Sequence, residues 1–595
     1  MGFFPGFFTP VALSAFAALA LIAPTSAADG RFFDATPGYE RAKALPDSLK
    51  GRISALEFRI YDAFEGSETH SGLERTLYDV GNKLHIDTRE ATIRRRLPFR
   101  AGDTVTIDGL LEAEKHLRGE EFLADAIIEV KRLPDSTLAV KVTTYDQWST
   151  VLGVSVGRKG GEWVGWFGPV ESNLLGTGQR LGFFVSHDIE RDSRWLDYSN
   201  TAFTPLRLRV LAQYAWLSDG HSYAFSLVNP LRSREQKWGF SLSASGYEFA
   251  ESHYLSGNDL DRLDREGRLD ANGRALLGRT NILWQWQRTQ SQSLYAGVTR
   301  TFGRTLKTSV TPFYQRTARD IMPGYGIGYG VPGSVRDSLG YPRDSAGAPI
   351  APGYDVRHDE ILGATFSLYR YAYKTVHNFR NLKWSETIET GWRLSASAGQ
   401  NQTALGAADA NLYLAYAGIY NDAWRDALFL NSSASVRHFV DENGAAANGS
   451  GAAYAEVQWK PVPAIATVLI GQYDQTFAAP HAQKLYLGEE SGLLGYPNFY
   501  YAGSRRFLAS AEQRFFPPLE FGTVVPALAV FVNAGNAWDE GALRPGDLHY
   551  AAGVGLRLGA TRSVQKVVNH VNLTWPLSEK NLTGPVFGVR ASKSL

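Results

Sequence analysis

The chain has 595 residues, a formal net charge of +1, a mean hydropathy of −0.22 and no cysteine. That length exceeds one ordinary globular domain, and the near-zero charge gives no electrostatic case for a nucleic-acid partner. The absence of cysteine excludes disulfides, thiol catalysis and Cys-ligated metal or iron–sulfur centres.

In chain order, residues 1–28 read as a secretory signal peptide. Residues 11–22 (VALSAFAALALI) form an apolar core that ends at Pro24, and Ser26-Ala27-Ala28 offers a small-residue cleavage site. The preceding MGFFPGFFTP lacks the Lys or Arg that such signals usually carry. Beyond Pro24 no run of 18 apolar residues appears, so any later membrane crossing must use strands. Residues 29–50 read as a linker.

Residues 51–147 mix helix and strand patterns. Ile53, Leu56, Phe58 and Ile60 suggest a strand. Thr88 reads as an N-cap before a helix over 89–97 that Pro98 ends. Asp108 opens a second helix, with Leu110, Leu111, Glu114, Leu117 and Arg118 on one face. Strands over 126–132 and 137–144 follow, joined by Pro134-Asp135-Ser136. This is the pattern of a small α+β domain. Arg94-Arg95-Arg96 reads as a solvated helix face, with a phospholipid-facing patch as the alternative.

From 148 to 595 the helical period gives way to alternation. Leu206, Leu208, Val210, Ala212, Tyr214 and Trp216 share one face, and Arg207, Arg209 and Gln213 the other. Trp238, Phe240, Leu242 and Ala244 repeat the pattern, as do Val571, Leu573 and Trp575 near the end. The 28 Tyr, 32 Phe and 14 Trp beside 59 Gly fit short strands with aromatic girdles and tight turns. Because open sheet edges are intolerable in lipid, such strands must close. The expected fold class is an all-β transmembrane barrel of about 16 antiparallel strands, preceded by one small α+β domain. The Gly/Pro-rich stretch 319–360 reads as a long extracellular loop, and 251–275 as a second, charged one.

The most informative stretch is SGLLGYPNFYYAGSRRFLASAEQRFFPP, from Ser491, followed by ALAVFVNAGNAWD. It resembles the BamA/TamA-type outer-membrane assembly and translocation superfamily, in which a loop with a V/I-R-G-Y core folds back into the barrel lumen. Gly492, Leu494, Gly495 and Tyr496 match that loop, and Glu512, Arg514 and Asn533 match its lumenal partners. NKLHIDTREATIRRRLPFRAGD and LLEAEKHLRGEEFLADAIIEV look like the family's polypeptide-transport-associated (POTRA) domain. Asn173, Gly176 and Gly178 match the turn between early barrel strands, and Asn229-Pro230 fits a later one. Two departures go together. Leu494 replaces the loop Arg and Asn533 replaces an acidic residue, so the ion pair is neutralised on both sides, leaving Glu512 to Arg505 or Arg506. The plainer reading is that Gly495 and Tyr496 only shape a turn and plug the lumen. The chain also ends in Leu595 where such barrels tend to end in Phe or Trp.

The resemblance implies an outer-membrane barrel with the 51–147 domain in the periplasm. Its partners would be outer-membrane lipids and unfolded client polypeptides, with insertion or passage via the barrel and a seam between residues 150–158 and 585–595. A channel or porin of the same fold is the alternative. No H-E-x-x-H or G-x-S-x-G motif is present, and Gly176-Thr-Gly178 is incomplete as a dinucleotide loop. No catalytic residue, metal or cofactor is therefore expected.

Overall fold

The computed structural model describes residues 36–46, 48–62, 86–147, 149–159, 161–204, 206–231, 236–276, 283–327, 335, 356–377, 385–424, 427–478, 484–519, 524–560, 568–579, 582 and 584–592. The expected signal peptide lies outside the described residues.

The small domain contains β1 (Glu40–Arg41), β2 (Lys50–Tyr61), α1 (Glu90–Arg96), β3 (Thr104–Thr106), α2 (Ile107–Arg118), β4 (Leu123–Arg132) and β5 (Leu138–Asp146). Its sheet runs β1-β4-β5-β2-β3, with β2 parallel to β5. Ile53, Ile93, Leu110, Leu117, Phe122, Ile128 and Leu138 fill the space between sheet and helices, each at most 1% exposed. The one-sided apolar face of α2 thus does what its period requires. Thr106, not Asp108, caps that helix, its side chain accepting from Gly109 N. Thr88 does not cap α1: the capping position is Arg89, without a side-chain bond, and buried Thr88 instead donates its N–H to Asp146 at 2.7 Å. Residues 36–50, read above as linker, carry Ala42 and Leu49 into the same core.

The rest is a closed barrel of 20 antiparallel strands, not 16. Its first part is β6 (Thr150–Lys159), β7 (Glu162–Glu171), β8 (Gln179–His187), β9 (Asp192–Phe203), β10 (Leu208–Leu217), β11 (Gly220–Asn229), β12 (Trp238–Tyr254), β13 (Leu283–Phe302), β14 (Lys307–Ile327), β15 (Arg357–His377) and β16 (Ser385–Asn401). There follow β17 (Leu412–Trp424), β18 (Leu428–Val440), β19 (Ala446–Val462) and β20 (Ile465–Phe477). After two short inner strands, β21 (Leu485–Leu487) and β22 (Tyr501–Gly503), the wall resumes with β23 (Arg505–Phe515), β24 (Val524–Trp538), β25 (His549–Ala560), β26 (Val568–Pro576) and β27 (Val586–Ser592). The extra strands come from connections too short to separate by eye: two residues part β10 from β11 and β19 from β20.

Register fixes which side each residue faces. Val310, Phe366, Ala396 and Tyr416 are aligned across four strands on the outside, where Val310, Phe366 and Tyr416 are 39%, 50% and 48% exposed. One residue over, Ser309, Ser367, Ser395 and Ala417 are aligned on the inside, with Ser367 and Ser395 hydrogen-bonded at 2.9 Å. An apolar exterior around a hydroxyl-rich interior is what a strand wall in hydrocarbon requires. Arg207 departs from the expected lumenal set. It sits in the turn before β10 with φ of 56° and donates to the carbonyl of Leu97 in the small domain. The stretch 251–275 is not plain loop either: after β12 come α3 (Gly257–Arg265) and α4 (Ala271–Arg274). Leu255, Leu260, Leu263, Leu269, Leu276 and Val335 make a small core there. Of the expected loop 319–360, β14 takes residues to Ile327 and β15 begins at Arg357, with most of the interior outside the described residues.

Candidate functional site

The segment between β20 and β23 folds inward. β21 pairs with β22, and the Gly488–Tyr501 turn between them packs against the lumenal side of β23–β25 through Leu508, Ala537 and Ala551. Tight backbone geometry explains the glycines. Gly492 and Gly495 have φ of 107° and 82°, and a Cβ on Gly495 would lie 2.9 Å from the Thr574 side chain. Leu493 and Tyr496 are fully buried and Leu494 is 8% exposed. The Tyr496 hydroxyl donates to the Tyr550 carbonyl at 2.8 Å, and its ring packs 5.7 Å from Tyr501. Tyr501 donates to Glu579 at 2.6 Å and stacks on His549 at 4.0 Å. The loop is therefore held by aromatic packing and hydrogen bonds, with Leu494 in the Arg position making no ion pair. Glu489 of the loop accepts from the Gly495 N–H and lies beside Gly588 of β27.

Glu512 and Arg514 do face the lumen together, but the expected partner is wrong. Arg505 donates to the Gly541 carbonyl and Arg506 pairs with Asp474 at 2.8 Å. Glu512 instead takes Arg514 at 2.6 Å, and Arg557 through two bonds at 2.8 and 3.0 Å. The Arg557 side chain is 1% exposed, and it also donates to Asn572 Oδ1 at 2.7 Å. Sequence reasoning missed Arg557. The signal was Gly555, two residues earlier on the same face, whose absent Cβ would lie 2.7 Å from the guanidinium and 2.4 Å from Asn572. Asn533 stands apart from this trio, opposite Ser510, to which it donates at 2.9 Å.

The early turn joins the two parts of the molecule. Asn173 donates to Thr88 at 2.9 Å, and its own Oδ1 accepts from Gly178 N. The carbonyl of Gly176 accepts from Arg89 N and Thr92 Oγ1, and that of Gly178 from Arg96 at 2.8 Å. Both glycines have positive φ, and a Cβ on Gly178 would lie 2.4 Å from Arg96. Arg96 is 5% exposed, pairs with Glu120 at 3.1 Å and lies over Phe122, so it is neither a solvated face nor a lipid-facing patch. Glu120 in turn accepts from Thr201 of β9 at 2.7 Å.

The first and last strands meet as expected, but thinly. Among the described residues β27 and β6 share one register pair, Val589 with Arg158, whereas β26 and β27 share seven. At the far mouth, opposite the small domain, α3 begins on the loop: Gly257 N donates to the Tyr500 carbonyl. Burial first, and the charge of Glu579 second, push Asp261 of α3 up to about 6.

No family model matches the chain, and no curated protein does. Among solved structures it is similar to BamA from Haemophilus ducreyi lacking POTRA domains 1–3, at 11% identity and a TM-score of 0.38 over 91% of this chain and 84% of that one. It is similar to CdiB from Acinetobacter baumannii at 11% identity and 0.40, over 98% and 96%. The FrpB iron transporter from Neisseria meningitidis also aligns, at 9% identity and 0.35 over 78% and 86%. Likeness of this size separates no function, so the molecule's own contacts define it. It is a closed 20-strand barrel with a lipid-type exterior, a tyrosine-packed inner loop and a small α+β domain fixed to one rim.

Proposed function

We propose that this chain is an outer-membrane assembly or translocation factor of the BamA/TamA type. Its POTRA-like domain takes unfolded polypeptide in the periplasm, and its barrel inserts or passes that polypeptide. The observation that carries this reading is the seam. A ladder bond broken in hydrocarbon leaves backbone groups unsatisfied at several kcal/mol each. With one register pair among the described residues, β27–β6 is the place where the wall opens at least cost. A plain pore has no use for such a joint, nor for an inner loop whose glutamate rests against the last strand.

The test is a covalent lock. Directly opposed residues in antiparallel strands have Cα separations that suit a disulfide, so Arg158→Cys with Val589→Cys staples the seam in a chain with no other thiol. Oxidised protein is expected to stop inserting client barrels into membranes, and reduction to restore insertion. Unimpaired insertion with the seam locked excludes lateral opening. Deleting residues 51–147 separates this reading from the porin alternative, since a porin keeps its whole activity without the domain.

A further inference from the structure

One lumenal feature is used by neither loop nor seam. On the inner face of β15, at the end nearest the small domain, Tyr369, Tyr371 and Tyr373 occur at every second residue. Their ring centroids are 6.1 and 5.7 Å apart. Cations flank the ladder: Arg393 lies 4.8 Å from the Tyr369 ring and Lys307 5.7 Å from that of Tyr371. Glu389 is opposite Tyr373 in register. Farther along the same wall the hydroxyl rows continue, Thr365 to Ser397 at 2.8 Å, and lead to a cavity of about 410 Å³ lined by Ser397, Tyr413, Ser435, Arg437 and Asp474. Over the first rung, Tyr373, lies Lys115 of α2.

We propose that this ladder binds an extended polypeptide segment entering from the small domain, and that Lys115 is the cover on its first rung. The proposal rests on the protein-handling reading above and names where the client first touches the barrel. A strand repeats its side-chain direction about every 6.6 Å, close to the rung spacing. Tyr369 and Tyr371 stack at 15°, Tyr373 stands edge-on to Tyr371 at 66°, and Arg393 and Lys115 lie over the end rings, so the ladder lacks the run of open faces that a sugar chain needs. The cations select segments with acidic side chains among the apolar ones. The small domain is anchored on one side by buried polar bonds, Arg96 to Gly178 and Thr88 to Asn173 among them. Its reach across the mouth ends on Tyr373 in a cation–π contact. Pivoting about the anchored side uncovers the rung without breaking the anchor.

The experiment uses the full chain in detergent micelles and a fluorescein-labelled peptide of about twenty residues alternating Phe, Ser and Asp. Tyr371→Leu with Tyr373→Leu is expected to weaken binding about tenfold. Lys115→Ala is expected to tighten it about threefold, because the open form is then more populated. Each variant is first shown to keep the heat-modifiable mobility of the wild-type barrel, which guards against a folding defect. The proposal is overturned if wild-type protein fails to bind the peptide, if the tyrosine variants bind it unchanged, or if maltoheptaose displaces it in a tyrosine-dependent way. The assay needs no client insertion. Tyrosine-dependent binding in a protein that inserts with its seam locked would spare the ladder and sink lateral opening. Insertion without ladder binding would do the reverse.

Discussion

Replacing Glu512 with glutamine removes the one negative charge in a lumenal trio while keeping its shape. Arg557 and Arg514 have side chains 1% and 4% exposed, so neither can turn to bulk water for a substitute. The amide oxygen can still accept the two bonds that Oε1 takes at 2.6 and 3.0 Å, but the amide NH2 then faces the Arg557 donor that Oε2 takes at 2.8 Å, and two guanidiniums are left without a counter-charge. Removing one member of a buried ion pair costs about 3–5 kcal/mol, and the retained bonds put the expectation near the lower end, about 3 kcal/mol. Urea unfolding of the barrel in micelles, followed by tryptophan fluorescence, measures it as a shift in midpoint at constant slope. Adding Arg557→Met should recover part of the loss, because one stranded cation goes with it. A cost below about 1 kcal/mol for Glu512→Gln would show that lumenal water already screens the trio, and the account of Gly555 as room made for Arg557 would fall with it.

Gly178→Ala places a methyl against Arg96 at a φ of +63°, so it should release the small domain and leave the barrel folded. Limited proteolysis should then cut between residues 147 and 150 while heat-modifiable mobility persists; an uncut variant refutes the docking role. Asp261 gives a pH signature. Its folded pKa is raised, so its stabilisation of the α3 cap is complete below the usual carboxylate range and is lost as pH rises through about 6. The facing groups are Glu579, Arg265, His549 and Asp264. Burial pushes Glu579 up, but hydrogen bonds from His549 and Tyr501 outweigh it and hold it low, so Glu579 stays charged through that window. Protection factors for amide exchange over residues 255–276, referred to the intrinsic rate at each pH, should fall from pH 5 to pH 7, and Asp261→Asn should flatten the change.

Alternation along β10, β12 and β26 made the barrel class legible, because a wall between lipid and lumen forces period two on every strand. The strand number was not legible, since two-residue turns such as Ser218-Asp219 leave no break in the pattern. The small domain's core followed from the spacing of Leu110 and Leu117, whereas Arg96 did not: a triple arginine looks solvated until tertiary contacts bury one member. The inner loop was legible from its glycines. Its partners were not, because neighbours across β23, β25 and β26 are set by register, and register is written in whole strands, not in motifs.

The strand lengths carry a further consequence. β12, β13 and β14 have 17, 20 and 21 residues, whereas β6, β7 and β8 have 10, 10 and 9. About 9–11 tilted residues suffice to cross the hydrocarbon. The extra length of β12 lies on the far side, beyond the stretch paired with β11. At about 3.3 Å per residue this makes a parapet that stands roughly 15–25 Å clear of the bilayer. The seam at β6 and β27 stays low, in its lee. Anything large that approaches from that side therefore meets the parapet first, and the seam is reached chiefly by lipid.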